Sequence, residues 1–509
     1  MRKTFAAAAA FAALPLCALA QPRTSTAAAD PILAGYTRIY SGDREGAYAH
    51  FEALHAREPE SLAAWYGFLY ATQTRLGMQP SLEPAFAKGI EQFLAKAEQR
   101  YARSRGDAEA LFYLASGHLL RGQYRFEHDK GIWGAARDAA RAKGYSDEYL
   151  KQHPEHGDAY LTQGLYNYYV DIAPSFVKVL RVLLFLPSGN RGEGLKQLEK
   201  TARDGNLFAP MAEEILVDAY SGIERRVADA VRIAERLHQR FPQNFDYQVT
   251  LGQLYASPTL EAYGRASEQF NAVIAQTSSS TSMDQLRVRY RAILGLADLK
   301  RSQWQLEDAI ALMTPPIDAN VSKPAFVLPA CLLRRGGYRG LLNDPNAADD
   351  LRRVLNDPKM NAYHKAAERQ IATLDERRRT DEGAIYAQLI PGNRLAAERR
   401  WDEARAEYDK VGGAHPGDWQ VRYRLAYLDF QRGNYDAAST ALGQIAASAA
   451  KLPRWLRSTA MLNLAWTHDI GGRRTEAVKL YKKIVDEYED QAAANAARLG
   501  LLTPYRAKG

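Results

Sequence analysis

Apolar positions along this chain recur with helical spacing, and towards the C-terminus the recurrence itself repeats. After Trp401, the residues Ala404, Tyr408 and Val411 fall three or four apart on one helix face, and Pro416 closes the segment. After Asn434, the residues Ala438, Leu442 and Ile445 do the same. Ala404 and Ala438 are 34 residues apart, room for two helices and two turns. A helix pair of that size cannot bury its apolar face alone. The spacing therefore predicts hairpins stacked on their neighbours, with a small Ala where two helices come closest.

The same offsets occur elsewhere. Gly35, Ala47, Phe51, Leu54 and Pro59 form an early unit, and Trp65 follows where the next first helix should begin. Ala230, Ala234, Leu237 and Pro242 form another; Leu251, Gly252 and Tyr255 open the next, which closes with Ala266, Phe270 and Val273, 36 residues on. Ala477, Tyr481 and Ile484 come 39 residues after the Ala438 unit. Between 84 and 146 the units lengthen, with helical patterns at 93–101, 111–120 and 132–142, and 277–282 reads as a polar linker. Trp304 and Ala309 read as an echo of Trp401 and Ala404. Pro315, Pro316, Gly336, Gly337 and Gly340 mark a change of direction between 315 and 345.

One stretch breaks the pattern. From 172 to 186 the chain is apolar except for Ser175, Lys178 and Arg181, and it ends at Pro187. Fifteen residues are fewer than the roughly 20 that span a bilayer as a helix. Phe176, Leu180, Leu183, Leu184 and Phe185 would form the apolar face of a helix that is either buried between repeats or lies on a membrane or partner surface.

Composition narrows the classes. With 46% hydrophobic and 25% charged residues, the chain is a folded rather than a disordered one. The formal net charge of +8 is thinly spread over 509 residues, and the basic cluster at Arg377, Arg378 and Arg379 is flanked by Glu376 and Asp381, so no nucleic-acid footprint is formed. Arg2 and Lys3, an Ala/Leu-rich run and Ala18-Leu19-Ala20 read as a secretory signal peptide over 1–20, followed by a flexible lead-in over 21–30. Leu16 before Cys17 argues against lipidation. With the leader removed, Cys331 is the single cysteine, and no intrachain disulfide can form.

No phosphate-binding loop, dinucleotide glycine pattern, zinc-protease helix or nucleophile elbow occurs, so no catalytic residues, cofactor or metal are expected. His153 and His156 are three apart, but Pro154 lies between them where a repeat-joining turn is expected, and the segment reads as turn chemistry.

The recurring Trp, Leu-Gly, Tyr, Ala, aromatic and Pro positions resemble the tetratricopeptide repeat family. That resemblance implies an all-α solenoid, a right-handed superhelix of helix-turn-helix repeats, some degenerate or lengthened. Its parts would be an N-terminal solenoid over 31–314, an irregular bend with helices over 315–384, and a C-terminal array with a capping helix over 385–509. The stretch from Tyr166 through Pro210 resembles exported bacterial members, and more weakly a eukaryotic group that includes a mitochondrial outer-membrane protein. By the same resemblance, partner contacts would come from first helices of the final units: Asn393, then Gln420, Tyr423 and Tyr427, then Asn463 and Trp466. Some members hold a peptide carboxylate with a Lys and an Asn on successive groove positions; here Asn393 matches the Asn, and Leu389 stands where the Lys would be.

The expected function is an exported scaffold that binds a protein or peptide in the bacterial cell envelope, without catalysis. Two alternatives stand beside it: a peripheral membrane protein anchored by 172–186, and an enzyme with a dispersed site.

Overall fold

The computed structural model describes residues 30–128, 131–172, 187–378 and 381–507. Every long element among them is an α-helix, and successive helices pack as hairpins that stack into a solenoid. The leader expected over 1–20, most of the expected lead-in, Arg379 and the apolar residues Phe176, Leu180, Leu183, Leu184 and Phe185 lie outside the described residues. The first pair is Pro31–Tyr40 with Arg44–Arg57. The lengthened units are Glu83–Arg103, Ala108–Glu127 and Ile132–Gln152. The last pairs are Ile390–Ala397 with Trp401–Ala414, Trp419–Gln431 with Tyr435–Ala447, and Arg454–Ile470 with Arg474–Glu487, followed by Ala492–Leu502.

A single rule of register runs through eight of these hairpins. The second helix of each carries a fully buried Ala: Ala47, Ala230, Ala266, Ala309, Ala348, Ala404, Ala438 and Ala477. Five residues earlier stands a residue in the left-handed region: Gly42, Arg225, Glu261, Trp304, Asn343, Arg399, Gly433 and Gly472. In six of them the next amide bonds back across the turn to the carbonyl five residues before, as Asn434 N–H does to Asp429 at 2.9 Å. That is the helix-ending motif in which a left-handed residue satisfies the last carbonyls of the first helix. Counted this way, Trp304 is the equivalent of Arg399 rather than of Trp401. Its resemblance to the Trp401 signature is out of register by two residues, because Trp304 lies in the turn while Trp401 begins a helix.

Aromatic rings from second helices lock neighbouring units. Phe270 is fully buried, and its ring lies where a Cβ on either Gly252 or Gly295 would come within 2.6 Å. Phe51 is held in the same way between Gly35 and Gly67. Only glycine permits first helices of adjacent units to close on one ring from both sides.

The N-terminal units curl until their first helices meet their own later ones. Tyr36 lies 5.7 Å from Phe208, and Phe208 lies 6.1 Å from Tyr66 and 6.0 Å from Phe112. Phe208 reaches this position because the buried Asp158 carboxylate accepts the amides of Asn206, Leu207 and Phe208 at 2.8–3.1 Å. Tyr40 donates to the Leu207 carbonyl at 2.8 Å, and Asn244 donates to the Tyr40 carbonyl at 2.9 Å. One continuous apolar core thus runs from Tyr36 to Leu299.

Between 315 and 345 the structure differs from the sequence expectation. Pro315 and Pro316 sit in the last turn of Leu306–Asp318, and Gly336, Gly337 and Gly340 all lie within Val327–Leu341. The glycines mark close helix approach: a Cβ on Gly336 would meet Leu351 at 2.9 Å, and one on Gly340 would meet Leu374 at 2.4 Å. Helical units therefore continue through the segment, and the short Glu382–Gln388 helix beyond it departs from the pattern.

Candidate functional site

The first helices of the C-terminal units present a continuous inner face. On Trp419–Gln431, one helical row carries Gln420, Tyr423, Arg424 and Tyr427. Arg424 is 9% exposed, and its guanidinium carbon lies 5.1 Å from the Trp304 ring centre, 5.3 Å from Tyr386 and 5.7 Å from Tyr423. It donates to the Tyr386 hydroxyl at 3.1 Å. Among the described residues it forms no ion pair with a carboxylate. A buried cation held only by aromatic faces and a phenol is weakly compensated, and a carboxylate is the group that would complete it.

The six residues expected to line this face are held largely by the chain itself. Asn393 accepts from the Tyr408 hydroxyl at 2.8 Å, and its buried amide nitrogen has no hydrogen-bond partner among the described residues. Gln420 donates to the Glu382 carbonyl at 3.1 Å, and its buried amide oxygen is unpaired among the described residues. Asn463 donates to the Tyr423 hydroxyl at 2.9 Å, and both residues are buried. Tyr427 stacks on Tyr423 with ring centres 6.0 Å apart. Trp466 stacks on Tyr505 of the C-terminal tail at 4.5 Å, and its buried indole nitrogen is unpaired among the described residues. Burial raises the tyrosine pKa values on this face: Tyr408 and Tyr505 both to about 12, and Tyr427 also upward, so they remain neutral hydrogen-bonding groups.

Three turns of earlier units lie against this face, each through its left-handed residue. Trp304 faces Arg424, and its carbonyl accepts from Arg394 at 3.2 Å. Glu261 pairs with Arg399 at 3.4 Å. Arg225 lies 5.5 Å from the Tyr505 ring, while its neighbourhood is tied down by Arg191, which bridges Glu224 at 2.6 Å and the Thr503 hydroxyl at 2.9 Å. The solenoid thus turns back on itself, and its own turns occupy part of the C-terminal inner face.

Sequence reasoning selected the uncharged members of this face and passed over Arg424, Trp304, Tyr386 and Tyr505. Arg424 was within reach, because it stands four residues after Gln420 and three before Tyr427, a charge set in a row of groove positions. The other three come from remote segments, and no local pattern joins them.

The arrangement suits recognition by hydrogen bonds and stacking. His156 bonds the Tyr149 hydroxyl at 2.7 Å, and among the described residues no three His, Cys, Asp or Glu side chains are grouped to hold a metal ion.

Residues 395–462 match a family model described as Tetratricopeptide repeat, and residues 459–490 match a second model of the same description. No curated protein matches the chain. Solved structures that are similar include the TPR domain of P58(IPK), at 12% identity over 79% of this chain and 98% of that one, with a TM-score of 0.20. They also include the APC/C hetero-tetramer Cut9-Hcn1, at 12% identity over 92% of this chain and 82% of that one, with a TM-score of 0.25. The two matches identify tetratricopeptide repeats over 395–490, and the helical hairpins before them stack in the same manner.

Proposed function

We propose that this protein is an exported interaction scaffold of the bacterial cell envelope, which binds a protein or peptide and performs no catalysis. Tetratricopeptide repeats support the binding role, and the leader-like residues 1–20 support export. The observation that carries the choice of surface is Arg424, a buried guanidinium in an aromatic box with no carboxylate beside it among the described residues. The partner segment therefore brings an acidic side chain or a C-terminal carboxylate. Unpaired buried polar atoms on Asn393, Gln420 and Trp466 provide further hydrogen-bonding capacity along the same row.

Crosslinking in the periplasm followed by mass spectrometry, with wild type and Arg424→Gln compared, tests this reading. A partner captured by the wild type and lost from the variant supports it. A partner captured equally by both places recognition elsewhere.

A second reading rests on the apolar run from 172 to 186. No described helix is long and apolar enough to cross a membrane. A shorter helix lying in the interface would give peripheral attachment. Flotation with anionic liposomes, comparing wild type with Leu183→Glu/Phe185→Glu, separates the two: attachment lost in the variant favours the membrane role, and absence of flotation by the wild type removes it.

A further inference from the structure

A cavity of about 440 Å³ opens inside the N-terminal coil, away from the Arg424 face. Its charged residues are arranged by helix. Glu214 and Asp218 stand one turn apart on Ala209–Ser221, and Arg287 and Arg291 stand one turn apart on Met283–Ser302. Between these two first helices runs Phe245–Tyr255, which contributes Asp246, Tyr247 and Thr250 to the lining.

The charges do not cancel locally. Asp246 is satisfied several times over: Arg44 and Arg287 each reach it at 3.0 Å, and Arg291 bonds it as well. Arg44 also pairs with Asp284 at 3.1 Å. Arg291 is therefore a third guanidinium on one carboxylate, beside two like charges, and a staple between helices would not require it. Its side chain is 33% exposed and lines the cavity, and it makes no other hydrogen bond among the described residues.

On the other side, Glu214 accepts from the Tyr247 hydroxyl at 2.6 Å, but neither it nor Asp218 has an ion-pair partner among the described residues. Burial raises the pKa of Glu214 to about 7 and raises that of Asp218 as well, the signature of carboxylates lacking a cation. Asp218 lines the cavity and is open to solvent there. Ile39, Val217 and Leu237 supply an apolar wall.

We propose that this cavity binds a short zwitterion, its carboxylate held by Arg287 and Arg291 and its ammonium by Glu214 and Asp218. One helix intervenes between the two charged walls, at roughly 8–10 Å per helix-to-helix step. The required span exceeds that of a free α-amino acid and suits a dipeptide or an ω-amino acid with an apolar body. Such a ligand leaves a residual cation and two residual carboxylates paired at once, which neither an anion nor an amine alone can do.

The test is titration calorimetry of the full chain with glycyl-leucine and 6-aminohexanoate as zwitterions, and with hexanoate and hexylamine as half-probes. At least one zwitterion is expected to bind ten-fold or more tightly than both half-probes. Arg291→Met, which leaves Asp246 paired with Arg44 and Arg287, should weaken the zwitterion at least ten-fold while leaving hexylamine unchanged. Asp218→Asn should weaken it without altering hexanoate. Thr250→Phe, which fills the cavity without altering a charge, should abolish binding, and circular dichroism of each variant confirms that it is folded. The proposal is overturned if neither zwitterion binds, if a half-probe binds as tightly, or if folded Arg291→Met and Thr250→Phe bind like wild type.

Discussion

The Arg424 guanidinium carbon lies 5.1 Å from the centre of the Trp304 ring, joining two residues 120 positions apart in the chain. Trp304 adopts a left-handed backbone with φ of 61°, a conformation that a bulky residue enters only when its surroundings hold it. Arg394 grips its carbonyl, and Arg424 and Tyr386 take its ring. The turn is thus stabilised by the array it docks against.

Trp304→Ala is expected to loosen that docking, at a stability loss of about 2 kcal/mol from the desolvated cation–ring contact. Hydrogen exchange should rise at Ile390–Ala397 and Trp419–Gln431 and remain unchanged in the N-terminal core. Uniform exchange in wild type and variant would show that the turn contributes nothing to the docking.

Phe270 between Gly252 and Gly295 gives a second expectation. Gly252→Ala would place a methyl group within 2.6 Å of the ring, and the ring is enclosed on both sides. Destabilisation of about 1–3 kcal/mol by overpacking should result, read as a lowered urea midpoint. Adding Phe270→Leu should recover part of the loss, because the smaller side chain vacates the contested space. A double variant less stable than the sum of the two single changes would contradict the steric account.

The helices and much of the repeat register were legible in the sequence because both follow from local spacing. The buried alanines Ala404 and Ala438 announce themselves at the 34-residue period. What spacing could not reveal was curvature. Small rotations between units accumulate until Tyr36 meets Phe208 and Trp304 meets Arg424, contacts between segments with no sequence relation. The glycines near 340 show the same limit: a local rule treats them as helix breakers, whereas Leu351 and Leu374 make them points of close approach. The cavity charges Glu214, Asp218, Arg287 and Arg291 each resemble ordinary surface residues along the chain. Only the coil brings them together.

Asp158 anchors the loop that delivers Phe208. Burial works against its charge, but three amides and the nearby His156 hold its pKa below the usual carboxylate range. Asp158→Asn retains one acceptor oxygen but puts an amide nitrogen where an acceptor is required. A loss of about 1–3 kcal/mol is expected, with increased exchange at Asn206, Leu207 and Phe208. Unchanged exchange at those three amides would show that the loop is held by Phe208 packing alone.

The N-terminal cavity makes stability depend on pH in two opposite ways. Asp246 is buried, which would raise its pKa, yet Arg287, Arg291 and Arg44 hold it well below the usual value near 3.8. Its contribution is therefore present above that value and lost as the pH falls further. Glu214 behaves in reverse. Burial raises its pKa from 4.5 to about 7, against the Tyr247 hydrogen bond and the Arg44 charge, with Asp246 and Asp218 reinforcing the rise. The folded state then binds more protons than the unfolded state between pH 4.5 and about 7, so stability from this group is complete below 4.5 and declines as the pH rises through that window. Urea midpoints measured from pH 4.5 to 8 should fall across it in the wild type. In Glu214→Gln, whose amide still accepts from Tyr247 but cannot ionise, the fall should be smaller. Asp218, raised in the same direction by burial, should account for part of the remainder, so that Glu214→Gln/Asp218→Asn is flatter still. A wild-type midpoint that rises between pH 4.5 and 7, with Glu214→Gln removing the rise, would mean that Glu214 is ionised and paired in the folded protein.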